Sequence, residues 1–316
     1  MSEKPIYRSK FILIIVRDWF LLFRPPFHLV GIFPFLLGIA LAKACGYSIN
    51  WILFSLGLTV VMTVMGAAYL VGELFDYGVD VLSARLERNV FSGGTQVLQK
   101  QTISPKSIPP VIVIILLIST AAGAYILWYT GDLWLLGMGI FGVICGIGYS
   151  LPPFRWAWRG IGEILIAVCY GWLPVACAYL IQTGTFSPLI FYLAIPTSLT
   201  IFSVILINEI PDFPADIQFH KRNLCVRLGR QGSAYLYSAL SILTALSMVF
   251  IAVIFINPPH FLWLVFAAFI ILCLFLAFCM LAGKWKDPRR LKYLCALTIV
   301  KNLSASAIVA ISLLIG

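Results

Sequence analysis

Charged residues are scarce in this 316-residue chain. Asp, Glu, Lys and Arg make up 11% of it, where a soluble domain carries roughly a quarter. Histidine is nearly missing: His28, His220 and His260 are the only three, and they share no ligand spacing, so they read as packing or surface residues. None of the eight cysteines (45, 145, 169, 177, 225, 273, 279 and 295) forms a C-x-x-C pair. Most fall within apolar runs, where Cys acts as a small apolar residue, so neither a disulfide framework nor a cysteine metal site is read. What is abundant is apolar: 61% of residues are hydrophobic and the mean hydropathy is +1.01. No soluble fold hides that much apolar surface, which excludes a soluble domain, a disordered chain and a small secreted scaffold. The remaining class is an all-α polytopic membrane protein.

Nine apolar stretches are long enough to be spans: 28–44, 51–71, 110–128, 133–150, 161–181, 187–208, 233–256, 261–283 and 294–315. Turn signals at Thr130-Gly131-Asp132, Thr183-Gly184-Thr185 and Asn257-Pro258-Pro259 separate several of them. With the N-terminus inside, the inner segments hold 20 of the 22 Lys and Arg, the exceptions being Lys43 and Lys301. This positive-inside asymmetry places the N-terminus in the cytoplasm and, with an odd number of spans, the C-terminus on the opposite side. The net charge of +10 is therefore a topology signal, with anionic lipid headgroups as secondary partners and nucleic acid excluded. Residues 1–27 form a cytoplasmic segment before the membrane domain, 28–316. Arg17, Asp18 and Arg24 interrupt its apolar run, which is not a cleavable signal; residues 10–23 read as an interfacial helix anchored by Trp19.

Six of the twelve acidic residues form two boxes, Glu73-x-x-Asp76-x-x-x-Asp80 and Glu209-x-x-Asp212-x-x-x-Asp216, offset by 136 residues at every position. Each follows directly on an expected span, on the cytoplasmic side. On a helix, positions three and four apart share a face, so each box aims three carboxylates at one volume. Unpaired, they repel one another near a low-dielectric region; a divalent cation removes that cost. Oxygen-only ligands suit Mg²⁺, which completes its octahedron with water and phosphate oxygens. The alternative is solvated acids paired with nearby Arg and Lys, and repetition at one spacing favours the metal. Basic residues follow both boxes: Arg85 and Arg88 after the first, and Lys221, Arg222, Arg227 and Arg230 after the second, with Arg155 and Arg159 in a third inner loop. Carboxylates, metal and Arg/Lys together suit a diphosphate. Gly93-Gly94 reads either as a turn or as a close approach to phosphate. Lys301, inside the last span, has three readings: snorkelling inward, pairing with an acid, or lining a cavity.

These residues resemble a family. Asn208-Glu-Ile-Pro-Asp-Phe-Pro-Ala-Asp216, followed by Lys221-Arg222-Asn-Leu-Cys-Val-Arg227-Leu-Gly229, resembles the second aspartate motif of the UbiA-type intramembrane prenyltransferases; Glu73-Leu-Phe-Asp76-Tyr-Gly-Val-Asp80 resembles the first. Tyr149-Ser-Leu-Pro-Pro153 with Arg159-Gly-Ile-Gly-Glu163, Arg24-Pro25 and Phe91-Ser-Gly-Gly94 resemble further family segments, and the likeness is strongest to the 1,4-dihydroxy-2-naphthoate prenyltransferases of menaquinone synthesis. Two positions depart from the pattern: Gly72 stands where the first motif usually opens with Asn, and Ala157 where the loop often carries a basic residue.

The resemblance implies transfer of an isoprenyl group from a prenyl diphosphate to a lipophilic, aromatic acceptor. It implies Asp76, Asp80, Asp212 and Asp216 as catalytic residues, and two Mg²⁺ ions held by these with Glu73, Glu209 and Asn208, with Mn²⁺ able to substitute. Arg88, Arg155, Arg159, Lys221, Arg222 and Asn208 are implied in substrate binding. Two alternatives share the boxes: a terpene cyclase that closes the cation on its own chain, and a cation-coupled transporter. The acids lie at one membrane face rather than at the midplane, which argues against transport.

Overall fold

The computed structural model describes residues 4–87 and 89–315, with side chains from Leu13 onward. Among the described residues every regular element is helical. In chain order they are α1 (Lys4–Leu22), α2 (Pro25–Ala44), α3 (Trp51–Phe75), α4 (Tyr77–Arg85), α5 (Ile108–Thr130), α6 (Leu133–Gly148), α7 (Gly162–Thr183), α8 (Leu189–Gln218), α9 (Leu224–Ile256), α10 (His260–Leu281) and α11 (Pro288–Ile315).

Eight of these, α2, α3, α5 and α7 to α11, are long and apolar enough to cross a membrane. The stretch expected as a fourth span over 133–150 folds as α6, which is apolar but only 16 residues long. At 1.5 Å per residue it reaches about 24 Å, short of a hydrocarbon core of about 30 Å.

Local chemistry sets the helix ends. Asn50 accepts from the Ile52 and Leu53 amides to start α3, Asp132 accepts from Trp134 N at 2.8 Å to start α6, and Asn223 accepts from Val226 N at 2.9 Å to start α9. Gly131 and Gly184, at φ 65° and 64°, close α5 and α7 in the left-handed conformation that glycine adopts freely. Two expected boundaries move furthest. Helix α8 runs past 208 to Gln218 and carries the whole second acidic box; α9 starts at Leu224 rather than 233, with a break at Gly229 (φ 71°, ψ 163°). Polar residues end an apolar window, but they do not end a helix whose polar side chains find partners.

The first and last membrane-length helices, α2 and α11, pack together, and α2 also packs on α7, while α8 packs on α7, α9 and α11. Leu37, Leu41, Val175, Ile190, Met248 and Val309 join these helices in the largest buried cluster. Lipid supplies no hydrophobic drive between helices, so close packing and hydroxyl bridges serve instead. Thr197 meets Ser306 at 2.9 Å and Asn302 donates to Thr200 at 3.0 Å. Lys301 belongs to this set: it is wholly buried, donates to Ser241 Oγ at 2.8 Å and lies over the Tyr237 ring at 4.6 Å. Its partners are the Ser241 and Tyr237 hydroxyls and the Tyr237 ring, so it neither snorkels nor pairs with an acid, and it lines neither cavity described below.

Asp18 and Trp19 tie α1 to the rest of the chain. Asp18 is buried and accepts from Arg17 and from Thr102 Oγ1 at 2.5 Å, tying α1 to the loop before α5. Trp19 packs on a cluster that includes Leu22, Leu70 and Val97, so it anchors α1 to protein.

Candidate active site

The two acidic boxes share a spacing but not a backbone. In the second, Glu209, Asp212 and Asp216 all lie on α8, which stays helical through Pro211 and Pro214. In the first, α3 ends at Phe75, Asp76 forms a corner at φ −97° and ψ 6°, and Asp80 lies in the first turn of α4. The expectation that each box sits on one helix face therefore holds for the second and fails for the first.

The corner sends the three acids of the first box to different partners. Glu73 is fully buried behind the site, where it accepts from Arg24 Nη2 at 2.6 Å, from Thr95 N at 2.9 Å and from Thr95 Oγ1 at 2.8 Å. Asp76 accepts from Ser150 Oγ at 2.6 Å and from the Trp158 indole N–H at 2.9 Å. Asp80 is buried; burial first, then the charges of Glu73 and Asp76, push its carboxyl well above the usual carboxylate range.

The second box reaches across to the first. Asp212 accepts from Ser83 Oγ on α4 and from Gly93 N at 3.1 Å, so one carboxylate pins both α4 and the loop that follows it. Asp216 accepts from Asn223 Nδ2 at 2.7 Å and pairs with Lys221 Nζ at 3.3 Å. Burial opposes the Lys221 ammonium, but Asp216 and Asp76 outweigh it and hold its pKa well above the ordinary lysine value. Glu209 accepts from Cys225 N at 3.3 Å and Glu163 from Leu224 N at 2.7 Å, so two acids serve the free amides that open α9.

Asp76, Asp80, Asn208, Glu209, Asp212, Asp216 and Lys221 line one cavity of about 240 Å³, together with Arg24, Tyr149, Ser150 and the Phe91–Gly94 loop. Gly93 and Gly94 both adopt left-handed φ, 66° and 64°. A Cβ on Gly94 would collide with Asp80 Oδ2, so this glycine is required where the loop backbone lies on a carboxylate.

The structure thus brings together seven of the residues expected from sequence. Glu73 stands behind the cavity wall as a brace for Arg24. Arg155 stacks on the Trp158 ring at 4.6 Å, and Arg159 donates to Pro153 O at 2.6 Å. Arg222 lends only its backbone, accepting from Arg227 Nε and donating to Trp158 O. None of these four lines the cavity, and Arg88 lies outside the described residues. The sequence reading missed Arg24, Ser150 and Trp158 as site residues. Arg24 has φ 47° and a buried Nε without a hydrogen-bond partner, features that no sequence pattern reveals.

Among the described residues no three His, Cys, Asp or Glu side chains converge into a cation cage. The donor set still fits Mg²⁺, which usually takes one or two carboxylates and fills its shell with water and phosphate oxygens. The carboxylates are all hard oxygen donors, and the buried Oδ1 of Asn208 has no hydrogen-bond partner.

A second cavity of about 560 Å³ adjoins the first and is walled by apolar residues of α2, α3, α5, α6 and α7. The two share Ala68, Gly146, Cys169 and Tyr170.

Comparison with known proteins gives a consistent picture. A UbiA prenyltransferase domain-containing protein 1 from Dictyostelium discoideum is 32% identical over 106 residues, a stretch that spans 34% of this chain and about a third (32%) of that protein. A 1,4-dihydroxy-2-naphthoate octaprenyltransferase from Haemophilus influenzae is 25% identical over 76% of this chain and 78% of its own; one from Bacillus subtilis is 24% identical over 75% and 77%. Among solved structures, an apo UbiA homologue from Aeropyrum pernix K1 superposes with a TM-score of 0.66 at 15% identity, covering 90% of this chain and 96% of that one. A UbiA homologue from Archaeoglobus fulgidus bound to GPP and Mg²⁺ gives 0.64 at 18% identity, covering 92% and 99%. At such identities the structural likeness speaks to the fold. The family model matches residues 31–299, most of the chain including both acidic boxes, and the protein belongs to the UbiA prenyltransferase family.

Proposed function

We propose that this prenyltransferase moves an isoprenyl group from a prenyl diphosphate to a lipophilic aromatic acceptor of the dihydroxynaphthoate kind, with Mg²⁺ as cofactor. The observation that carries the reading is the junction of two unlike cavities. One is lined by carboxylates, an amide and two cations; the other is apolar and more than twice as large. A molecule with an anionic head and a long hydrocarbon tail matches that pair. The naphthoate relatives support the acceptor class.

Asp76 and Asp80 on one side, and Asn208, Glu209, Asp212 and Asp216 on the other, would hold two Mg²⁺ ions, with Mn²⁺ able to replace them. Bound there, the metal supplies Lewis-acid stabilisation of the departing diphosphate. The chain's own residues do the rest. Lys221 brings a charged ammonium to the cavity. Arg24, oriented by Glu73 through one nitrogen, brings a second cation to the cavity wall. Both favour the transition state, in which negative charge gathers on the leaving group, over the ground state. Ser150 and Trp158 fix Asp76, and Ser83 and Gly93 fix Asp212, so these carboxylates are oriented before substrate arrives. Phe91, Tyr69 and Tyr170 line the cavity and keep water from the allylic carbon as its bond to oxygen breaks.

The membrane reading is nine crossings, with α6 as a short one, residues 1–27 and the site on the cytoplasmic side, and the C-terminus opposite. The basic loops support it. A reporter fused after residue 315 that is active only in the cytoplasm would reject it.

The main experiment incubates purified protein with Mg²⁺, prenyl diphosphates and 1,4-dihydroxy-2-naphthoate, and identifies products by mass spectrometry. A prenylated naphthoate supports the proposal. A cyclic hydrocarbon from the diphosphate alone would make the protein a cyclase, and absence of diphosphate release would overturn both readings.

A further inference from the structure

Arg227 lines neither cavity, yet its guanidinium joins two loops of the site. It lies in the first turn of α9, where a cation opposes the positive end of the helix dipole, so local helix chemistry does not favour it. A helical side chain leans toward the N-terminus of its own helix, which sends this one back over the loop that precedes α9. There Nε donates to Arg222 O and Nη2 donates to Arg159 O, each at 2.8 Å. The first carbonyl belongs to the loop that leaves the second acidic box. The second belongs to the loop between α6 and α7. Gly160, at φ 71°, lies against the guanidinium: a Cβ there would stand 2.5 Å from Arg227 Nε and 2.7 Å from its Cδ. The side chain of residue 160 is absent where Arg227 crosses the backbone.

The joined loops end on a carboxylate of the first box. Arg222 N donates to Trp158 O at 3.0 Å, so the consecutive carbonyls of Trp158 and Arg159 are both held from the second half of the chain. Arg155 covers the Trp158 ring at 4.6 Å. With its backbone and ring both held, Trp158 presents its indole N–H to Asp76 Oδ1 at 2.9 Å. A planar guanidinium carries donors at fixed angles and can bridge two carbonyls at once; an ammonium is a point charge without that geometry.

We infer that Arg227 is a positioning residue for Asp76, acting through Trp158. The hold of the first box on its metal therefore depends on a side chain that follows the second box. This rests on the metal reading proposed above, with Asp76 as a ligand.

The test uses the full chain with Arg227→Ala, Trp158→Phe and the two combined. Mn²⁺ binding is measured by electron paramagnetic resonance without substrate. The Trp158 N–H is followed by nuclear magnetic resonance of protein labelled at the tryptophan nitrogens, its signal being the one that Trp158→Phe removes. Loss of an outer-shell partner weakens a metal site by about tenfold or more, which is expected for Trp158→Phe. Arg227→Ala, one step further out, should move the Trp158 signal and weaken Mn²⁺ binding by about threefold to tenfold. The combined variant should match Trp158→Phe within about twofold, because both changes act on one N–H. A variant that is merely less stable melts earlier but leaves the signal and the Mn²⁺ affinity of the folded protein in place. An unmoved signal, unchanged Mn²⁺ binding, or single effects that multiply in the combined variant would overturn the inference. Should the alanine variant not fold, Arg227→Lys, which keeps the charge and loses the bridge, is read in its place with an expected weakening of about twofold or more. Should wild type bind no Mn²⁺, the metal reading fails, and the Trp158 signal alone decides whether Arg227 positions the indole.

Discussion

Gly72 and Asn208 occupy equivalent places in the two acidic boxes, and exchanging their side chains tests whether the boxes hold metal in the same way. A Cβ at Gly72 would lie 3.7 Å from Ser150 Oγ and 4.0 Å from Asp76 Oδ2, ordinary contact distances, so Gly72→Asn has room at its Cβ and starts its side chain toward Asp76. Near the end of α3 the change should also recover a few tenths of a kcal/mol of helix propensity, so folding is not endangered. A hydrogen bond to a charged group is worth about 1.5–3 kcal/mol. At about 1.4 kcal/mol per decade, the Mg²⁺ half-saturation should tighten by about tenfold to a hundredfold. Asn208→Gly removes a cavity-lining amide whose Oδ1 has no hydrogen-bond partner, and should loosen it by a similar factor. Two assays read this: Mg²⁺ titration of the initial rate, and Mn²⁺ binding by electron paramagnetic resonance without substrate. If neither variant shifts either titration, the amide takes no part in metal binding and Gly72 is simply a small residue near a helix end.

The other expectations are sharper in sign than in size. Asp76→Ala, Asp80→Ala, Asp212→Ala and Asp216→Ala should each lose nearly all turnover while keeping the far-ultraviolet helix signal; normal turnover in two of them would reject the two-metal arrangement. Exhaustive chelation should abolish activity and added Mg²⁺ or Mn²⁺ restore it, because carboxylate and phosphate oxygens are hard ligands; full activity in chelator would refute the cofactor assignment. Gly94→Ala adds a methyl that meets Asp80 Oδ2 and forces alanine to a φ of 64°, so it should cost about 1–2 kcal/mol from the backbone alone and lower the melting temperature as well as the rate. An unshifted melting curve would show that the loop re-seats freely.

Much of this molecule is legible in one sequence, and the reasons differ by feature. The spans at 51–71 and 161–181 stand out because lipid tolerates so few charges, and the observed helices Trp51–Phe75 and Gly162–Thr183 exceed them only at their ends. The acids of the site are legible because 136 residues separate them three times over, a coincidence that packing alone does not produce. Trp158 is not legible. Its N–H reaches Asp76 across 82 residues, through a loop whose path no periodicity encodes. Glu73 misleads for the same reason: its spacing matches Glu209, but Arg24 and Thr95 enclose it, and neither contact is visible from the box itself. The length of α6 is hidden too, since residues 149 and 150 are compatible with a helix and leave it to line the site.

The departure of the first box from the second then follows from what surrounds each. Asp212 lies mid-helix, where a side chain can only project outward, and it finds Ser83 and the Gly93 amide on the opposite wall. Asp76 sits at the end of α3, with Ser150 and Trp158 waiting on both of its oxygens. Two strong donors on one carboxylate stabilise a corner there, and Gly72, without a Cβ, leaves room on the side of Ser150. Once the chain turns, Glu73 and Asp80 no longer share a face. Glu73 rotates behind the wall to orient Arg24, and Asp80 moves under Gly94. The first box therefore presents two carboxylates to the cavity, and the second presents three with an amide. A repeat that is exact in sequence spacing has become one half that presents all three of its acids to the cavity and one half that divides its acids between the cavity and the bracing of Arg24.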